Sequence, residues 1–179
     1  GAVRAARPTV VPLWSDHIGL DAQTTSVIFG ISSAIDVALF YPAGRIMDRF
    51  GRLWIAVPSM VLLGGSMILV PLTSGPVSLA VVTLIMGAGN GLGSGIVMTL
   101  GADVAPRDAT VRFLSLWRFM NDSGHGAGPL LIAAVATWSL GGAIIGAGAV
   151  GLLAAAAVVR WVPRWSPYAT AAMVRAHLR

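Results

Sequence analysis

Arg4, Arg7, Asp36, Asp122 and His125 are ionisable residues set within stretches made mainly of Ala, Gly, Val, Leu, Ile and Met. A carboxylate and an imidazole can take up and release a proton, and a guanidinium can hold an anion in its planar fork. Charged groups are costly in hydrocarbon, so each of these residues is a candidate functional site if its stretch crosses a membrane. At 1.5 Å of helix rise per residue, Asp36 lies about 18 Å from the outer start of its run and Asp122 about 15 Å from the inner start of its own. Arg4 lies about 15 Å inward from Trp14 and Arg7 about 10 Å, which brings an arginine within reach of Asp36 across a cavity. The expected protonation and substrate-contact set is Asp36 and Asp122 with His125, and Arg4 or Arg7 is either a counter-ion or a binder of anionic substrate groups. A competing reading places Asp122 and His125 near the interface, pairing with Arg118.

The elements that must position these residues follow from composition. Of the 179 residues, 56% are hydrophobic and 11% charged, with a mean hydropathy of +0.80, too little polar surface to coat a water-soluble domain of this size. A bilayer core of roughly 30 Å needs about 20 apolar residues per spanning helix. Such runs fall at about 24–43, 54–72, 77–100, 112–136 and 142–161. They lack the two-residue alternation of barrel strands, so the expected fold is an all-α membrane protein. Residues 1–14, with two arginines among apolar residues, read as the outer half of a sixth helix whose beginning is missing.

Charge placement orients the bundle. The gaps at 15–23, 73–76 and 137–141 hold no Arg, while Arg45, Arg49, Arg52, Arg107, Arg112 and Arg118 fill the alternating gaps and Arg160, Arg164, Arg175 and Arg179 the end of the chain. By the positive-inside rule the Arg-rich side is cytoplasmic, which places the protein in the cell membrane with a cytoplasmic C-terminus. That asymmetry accounts for the formal charge of +5 without a nucleic-acid partner. Trp14, Trp54, Trp138, Trp161 and Trp165 stand at span ends, where amphipathic rings favour the headgroups. The absence of Cys excludes disulfides and thiolate metal sites. Residues 166–179 are expected as a cytoplasmic tail, disordered in preference to a short interfacial helix turning Arg175 and Arg179 to lipid.

Three glycine-bearing segments carry the rest of the signal. In PAGRIMDRFGRLW, Gly44, Asp48, Arg49, Gly51 and Arg52 match every fixed position of G-x-x-x-D-R-x-G-R. On that ground the chain resembles the major facilitator superfamily of secondary transporters, in which this signature joins the second and third helices of a six-helix half. The resemblance implies that residues 1–165 form such a half, the C-terminal one of a bacterial drug or metabolite exporter, whose N-terminal half is a missing partner. It also implies that Asp48, Arg49 and Arg52 belong to a cytoplasmic gate; otherwise these arginines only fix topology. Read physically, Gly44 and Gly51 are expected to let the backbone turn tightly, and Asp48 to meet a helix N-terminus or an Arg.

In LIMGAGNGLGSGIVMTLG, Gly87, Gly91 and Gly95 share one helix face and Gly89 and Gly93 another, a spacing that permits close helix approach in lipid. Asn90 among them is interhelical glue or a cavity residue. With no preceding strand and no Lys-Ser or Lys-Thr, a nucleotide loop is disfavoured. In NDSGHGAGPLLIA, Gly124, Gly128 and Pro129 resemble part of the antiporter signature of drug exporters, though Ile132 and Ala133 stand where it has glycines. A Pro in a membrane helix also kinks it unaided.

Proton-coupled efflux of a small molecule, by a complete transporter in the lipid bilayer, is therefore the expected function. Import of sugars or organic acids by the same fold, or an inactive fragment, are the alternatives. No hydrolase or metalloenzyme motif is present, and His17, His125 and His177 fall in separate compartments, so neither an enzyme nor a cofactor is expected beyond a coupling proton.

Overall fold

Asp21 starts the longest helix: its Oδ2 accepts from the Thr24 amide at 3.0 Å and its Oδ1 from the Thr24 hydroxyl at 2.6 Å. The bond from the amide satisfies an orphan donor of the first turn, and that from the hydroxyl, followed by that from the amide, holds the exposed Asp21 carboxyl below its ordinary pKa. The computed structural model describes residues 1–166 and 168–177, and among these the chain is entirely helix and connecting turn. α1 spans Ala2–His17, α2 Ala22–Phe50 and α3 Leu53–Leu69, the last extended by a 3-10 turn at Val70–Leu72. α4 (Pro76–Gly93) and α5 (Ile96–Val104) follow, then α6 (Thr110–Ala136), α7 (Leu140–Trp165) and α8 (Ala171–His177).

Four segments, Ala22–Phe50, Leu53–Leu72, Pro76–Val104 and Leu140–Trp165, are long and apolar enough to cross a membrane. The sequence suggests five. α6 has 27 residues, sufficient length, but Asn121, Asp122, Ser123 and His125 lower its apolar character. α1 has 16 residues and includes Arg4, Arg7, Pro8 and Pro12.

Three sequence expectations need correction. α2 does not stop at Ala43 but continues to Phe50, so Gly44, Asp48 and Arg49 lie on its last two turns and not in a loop. Its 29 residues make a rod of about 43 Å, because hydropathy marks where hydrocarbon ends and not where a helix must. The run at 77–100 is not one helix; it breaks at Ser94 and Gly95 into α4 and α5, beyond the last of the closely packed glycines. Residues 171–177, expected as disordered, form α8, which follows a buried Ala169 and packs on the end of α2 with Val174 buried.

Glycines set the helix spacing. A Cβ at Gly64 would lie 2.7 Å from the Gly148 carbonyl, and one at Gly148 would lie 2.6 Å from that of Gly64, so α3 and α7 touch backbone to backbone. Gly87 and Gly91 lie against the backbone of Ser32 and Asp36, joining α4 to α2, while a Cβ at Gly89 would meet the Leu63 amide of α3 at 2.8 Å. Gly128 presses on Ala2 and so holds α1 to α6; Gly124 faces the same strand of contact more loosely, and Pro129 follows within the helix. Gly95 faces open space.

The main core gathers Ala6, Val10, Val11 and Trp14 of α1 with Leu63, Met67, Leu79 and Met86. A second cluster of Ala43, Met47, Ile55, Ala56 and Ile96 lies toward the Arg52 end. α2 and α6, by contrast, turn large apolar side chains outward, among them Val37, Phe40, Phe119, Met120 and Leu130. Such surfaces suit lipid or a further protein layer, not water.

Candidate functional site

Arg4 and Arg7, three apart on α1, point into the bundle and meet polar groups from three other helices. Arg7 Nη1 donates to Asp36 Oδ2 at 2.9 Å, with the two side chains 5% and 20% exposed. Its Nη2 donates to Ser32 Oγ at 2.8 Å, and Ser32 in turn donates to the Thr83 carbonyl at 2.6 Å. Phe29 closes over the guanidinium, its ring centroid 5.0 Å from Cζ. Ser32 and Asp36, four apart on α2, thus hold both ends of one fork.

Asn90 joins the second arginine to the same carboxylate. Its Nδ2 donates to Asp36 Oδ2 at 2.6 Å, while its backbone carbonyl and Oδ1 accept from Arg4 Nη1 at 3.0 and 3.4 Å. Arg4 Nη2 donates to Ser59 Oγ at 3.0 Å, and Ser59 donates to the Gly89 carbonyl at 2.7 Å. A Cβ at position 93 would occupy the place of the Arg4 guanidinium, so glycine there makes room for the charge. Asn90 is therefore both interhelical glue and a wall of the cleft beside it.

That cleft has a volume of about 420 Å³ and is lined by Arg4, Arg7, Phe29, Asn90, Asn121 and His125 with apolar neighbours. His125 Nδ1 lies 2.9 Å from the Asn121 carbonyl. The Asn121 side-chain nitrogen lies 3.3 Å from the same Nδ1, so two groups of Asn121 meet one edge of the ring. Asp122 is elsewhere: it lies on the exposed side of α6, 3.7 Å from Arg118, with side chains 63% and 69% exposed. The structure thus brings Arg4, Arg7, Asp36, Asn90 and His125 together and separates Asp122 from them. Its reason is helix rotation, since α6 turns Asn121 and His125 inward, one turn apart, and Arg118 and Asp122 outward.

A second charged cluster sits where α2 turns into α3. Arg52 Nε donates to Asp103 Oδ2 at 2.9 Å and its Nη1 to Asp48 Oδ1 at 3.2 Å. Asp103 is 8% exposed and Asp48 76%, so the buried partner is Asp103, at the end of α5. Burial opposes the charge of Arg52, but the hydrogen bond and field of Asp103, aided by Asp48, outweigh it and raise its pKa above the ordinary value. Gly51, at φ +96°, is the residue that turns the chain, and a Cβ on it would lie 2.7 Å from the Ala169 carbonyl. Gly44 turns nothing; it continues α2 with open space beside it. Arg49 stacks on Phe50, 5.5 Å from the ring centroid.

The segment before α8 completes this cluster. The Arg52 and Leu53 amides donate to the Tyr168 and Ala169 carbonyls at 3.0 and 3.1 Å. Ser166 donates to Asp103 Oδ2 at 3.2 Å, and Arg52 lies over the Tyr168 ring at 5.3 Å. Sequence reading found neither Asp103 nor Ser166. Asp103 had a signal, an acidic residue at the end of an apolar run facing an arginine-rich gap; Ser166 had none.

Four helical segments long and apolar enough to cross a membrane, packed through glycine, are the marks of a multi-pass membrane protein. Residues 2–173 match the sequence model of the Major Facilitator Superfamily, and the chain belongs to that family. No individual curated protein matches it. Its business is accordingly transmembrane transport, the common activity of the family, whose members are transporters and not enzymes.

Proposed function

We propose that the chain is one six-helix half of a twelve-helix secondary transporter that exports a small molecule in exchange for protons by alternating access. The observation that carries this reading is the Arg7–Asp36 pair, bridged through Asn90 to Arg4 beside the 420 Å³ cleft. Protonation of Asp36 removes the charge that holds Arg7 Nη1 and Asn90 Nδ2, freeing α1 and α4 to move relative to α2. A group whose contacts differ between two arrangements is what couples proton binding to a change of access. His125, at the wall of the same cleft, is the second proton carrier; Arg4 and the lining of the cleft are the substrate contacts.

In this reading α2, α3, α4 with α5, α6 and α7 are five complete spans, and α1 belongs to a sixth. The outward apolar faces of α2 and α6 pack on the other half, and Asp122 with Arg118 lies toward it. The Arg52 end is cytoplasmic, as is α8, in the cell membrane, and the Asp48–Arg52–Asp103 cluster is the gate. Neither a cofactor nor nucleic acid takes part. A second reading, uptake of an organic acid, is favoured by the two arginines at the cleft.

The test is transport by the full-length transporter in proteoliposomes, with dyes, antibiotics, sugars and organic acids, under a pH gradient of either sign. Export by exchange expects substrate to accumulate in inside-out vesicles when the lumen is acidic, and the opposite gradient to be needed for uptake by symport. Failure of every solute to move under both gradients contradicts the transport mechanism proposed.

A further inference from the structure

The charge of the cleft restricts what can bind there. Asp36 is the carboxylate in contact with the arginine cluster, and it is committed to Arg7 and Asn90. Arg4 meets only neutral acceptors, the Asn90 carbonyl, Asn90 Oδ1 and Ser59 Oγ, and among the described residues it forms no ion pair. Arg4 and Arg7 against Asp36 therefore leave one positive charge unneutralised, on the guanidinium that lines the cleft. The other polar residues of the lining are Asn90, Ser94, Asn121 and His125, and no carboxylate is among them. A cation entering such a cleft meets like charge and no acceptor anion, whereas a monoanion brings the site to neutrality at low dielectric.

Shape adds a second restriction. Phe29, Pro8, Val97 and Met98 supply an apolar wall within about 420 Å³, room for a ring or short chain attached to the charged head. Resting on the transporter reading above, we infer that the substrate is a small organic monocarboxylate. Its head takes the fork of Arg4, and its apolar body lies on Phe29, Val97 and Met98. Arg7 is then the internal counter-ion of Asp36 and Arg4 the substrate ligand, which separates the roles of two arginines only three residues apart.

Binding of labelled benzoate to the full-length transporter in detergent tests this, with benzylammonium, benzyl alcohol, phthalate and inorganic phosphate as competitors. Benzoate should bind and be displaced by other monocarboxylates but not by benzylammonium or benzyl alcohol. Arg4→Gln should weaken benzoate at least tenfold, while Arg4→Lys, which keeps the charge but loses the fork, should weaken it less. Competition by benzylammonium, or a benzoate affinity unchanged in Arg4→Gln and Arg4→Lys, would overturn the assignment. Phosphate or phthalate competing better than benzoate would overturn the charge count. Asp36-dependent transport confined to neutral or cationic solutes removes the anion inference and leaves the transporter reading standing, whereas no transport of any solute removes both.

Discussion

The two charged clusters of this bundle have opposite arithmetic. In the middle, two guanidinium groups face one carboxylate: Arg7 pairs with Asp36 directly, and Arg4 reaches it only through Asn90. At the α2–α3 turn, one guanidinium, Arg52, sits between two carboxylates, Asp48 and Asp103. The first has a charge to spare and a cleft beside it; the second has its cation doubly matched and is sealed by Ser166 and the Tyr168 and Ala169 carbonyls. A cluster with an excess charge at a cavity is suited to binding a ligand. A cluster closed on itself by backbone and side chains from three segments is suited to holding a conformation.

Breaking the middle cluster should have the largest effect. Asp36→Leu leaves Arg7 buried without its counter-ion, and loss of one partner of a buried pair costs about 3–5 kcal/mol. The double variant Arg7→Leu/Asp36→Leu should recover most of that loss in a thermal melt in detergent, because an apolar pair of similar volume carries no desolvation cost. If the double variant is as unstable as the sum of the two singles, the pair is not what holds α1 to α2.

Next comes the turn beneath the second cluster. Gly51→Ala forces an L side chain to φ +96° and a methyl against the Ala169 carbonyl, for which about 1–3 kcal/mol is expected. The segment 168–177 should then become open to limited proteolysis while the bundle stays folded. Unchanged protection would show that the segment is not held through Gly51.

The smallest effects separate the two carboxylates around Arg52. Asp103→Asn removes the buried partner and should destabilise by about 1–3 kcal/mol. Asp48→Asn removes a 76% exposed one, and exposed pairs are worth under about 1 kcal/mol. Equal losses in the two variants would refute the ranking by burial.

How much of this was legible depends on the distance over which a residue finds its partner. Helices and their packing faces are encoded locally: runs of apolar residues mark the rods, and the spacing of Gly87, Gly89 and Gly91 places two neighbours around α4. Depth counting put Asp36 within reach of an arginine on α1, and the structure joins it to Arg7. What hydropathy missed is helix beyond the hydrocarbon, as in the last turns of α2 and in α8. What spacing missed is rotation, which sends His125 inward and Asp122 outward on one helix. Long-range pairing was out of reach altogether: Asp103 meets Arg52 across 51 residues and Ser166 across 63, and no periodicity links them.

In the proposed mechanism Asp36 couples proton movement to transport through its contacts with Arg7 and Asn90. This coupling is tested most directly by transport in proteoliposomes by the full-length protein carrying Asp36→Asn, measured across a pH series with and without a gradient. The amide keeps the shape but cannot exchange a proton, so gradient-driven transport should be lost together with its pH dependence. Undiminished transport with an unchanged pH profile would contradict the account.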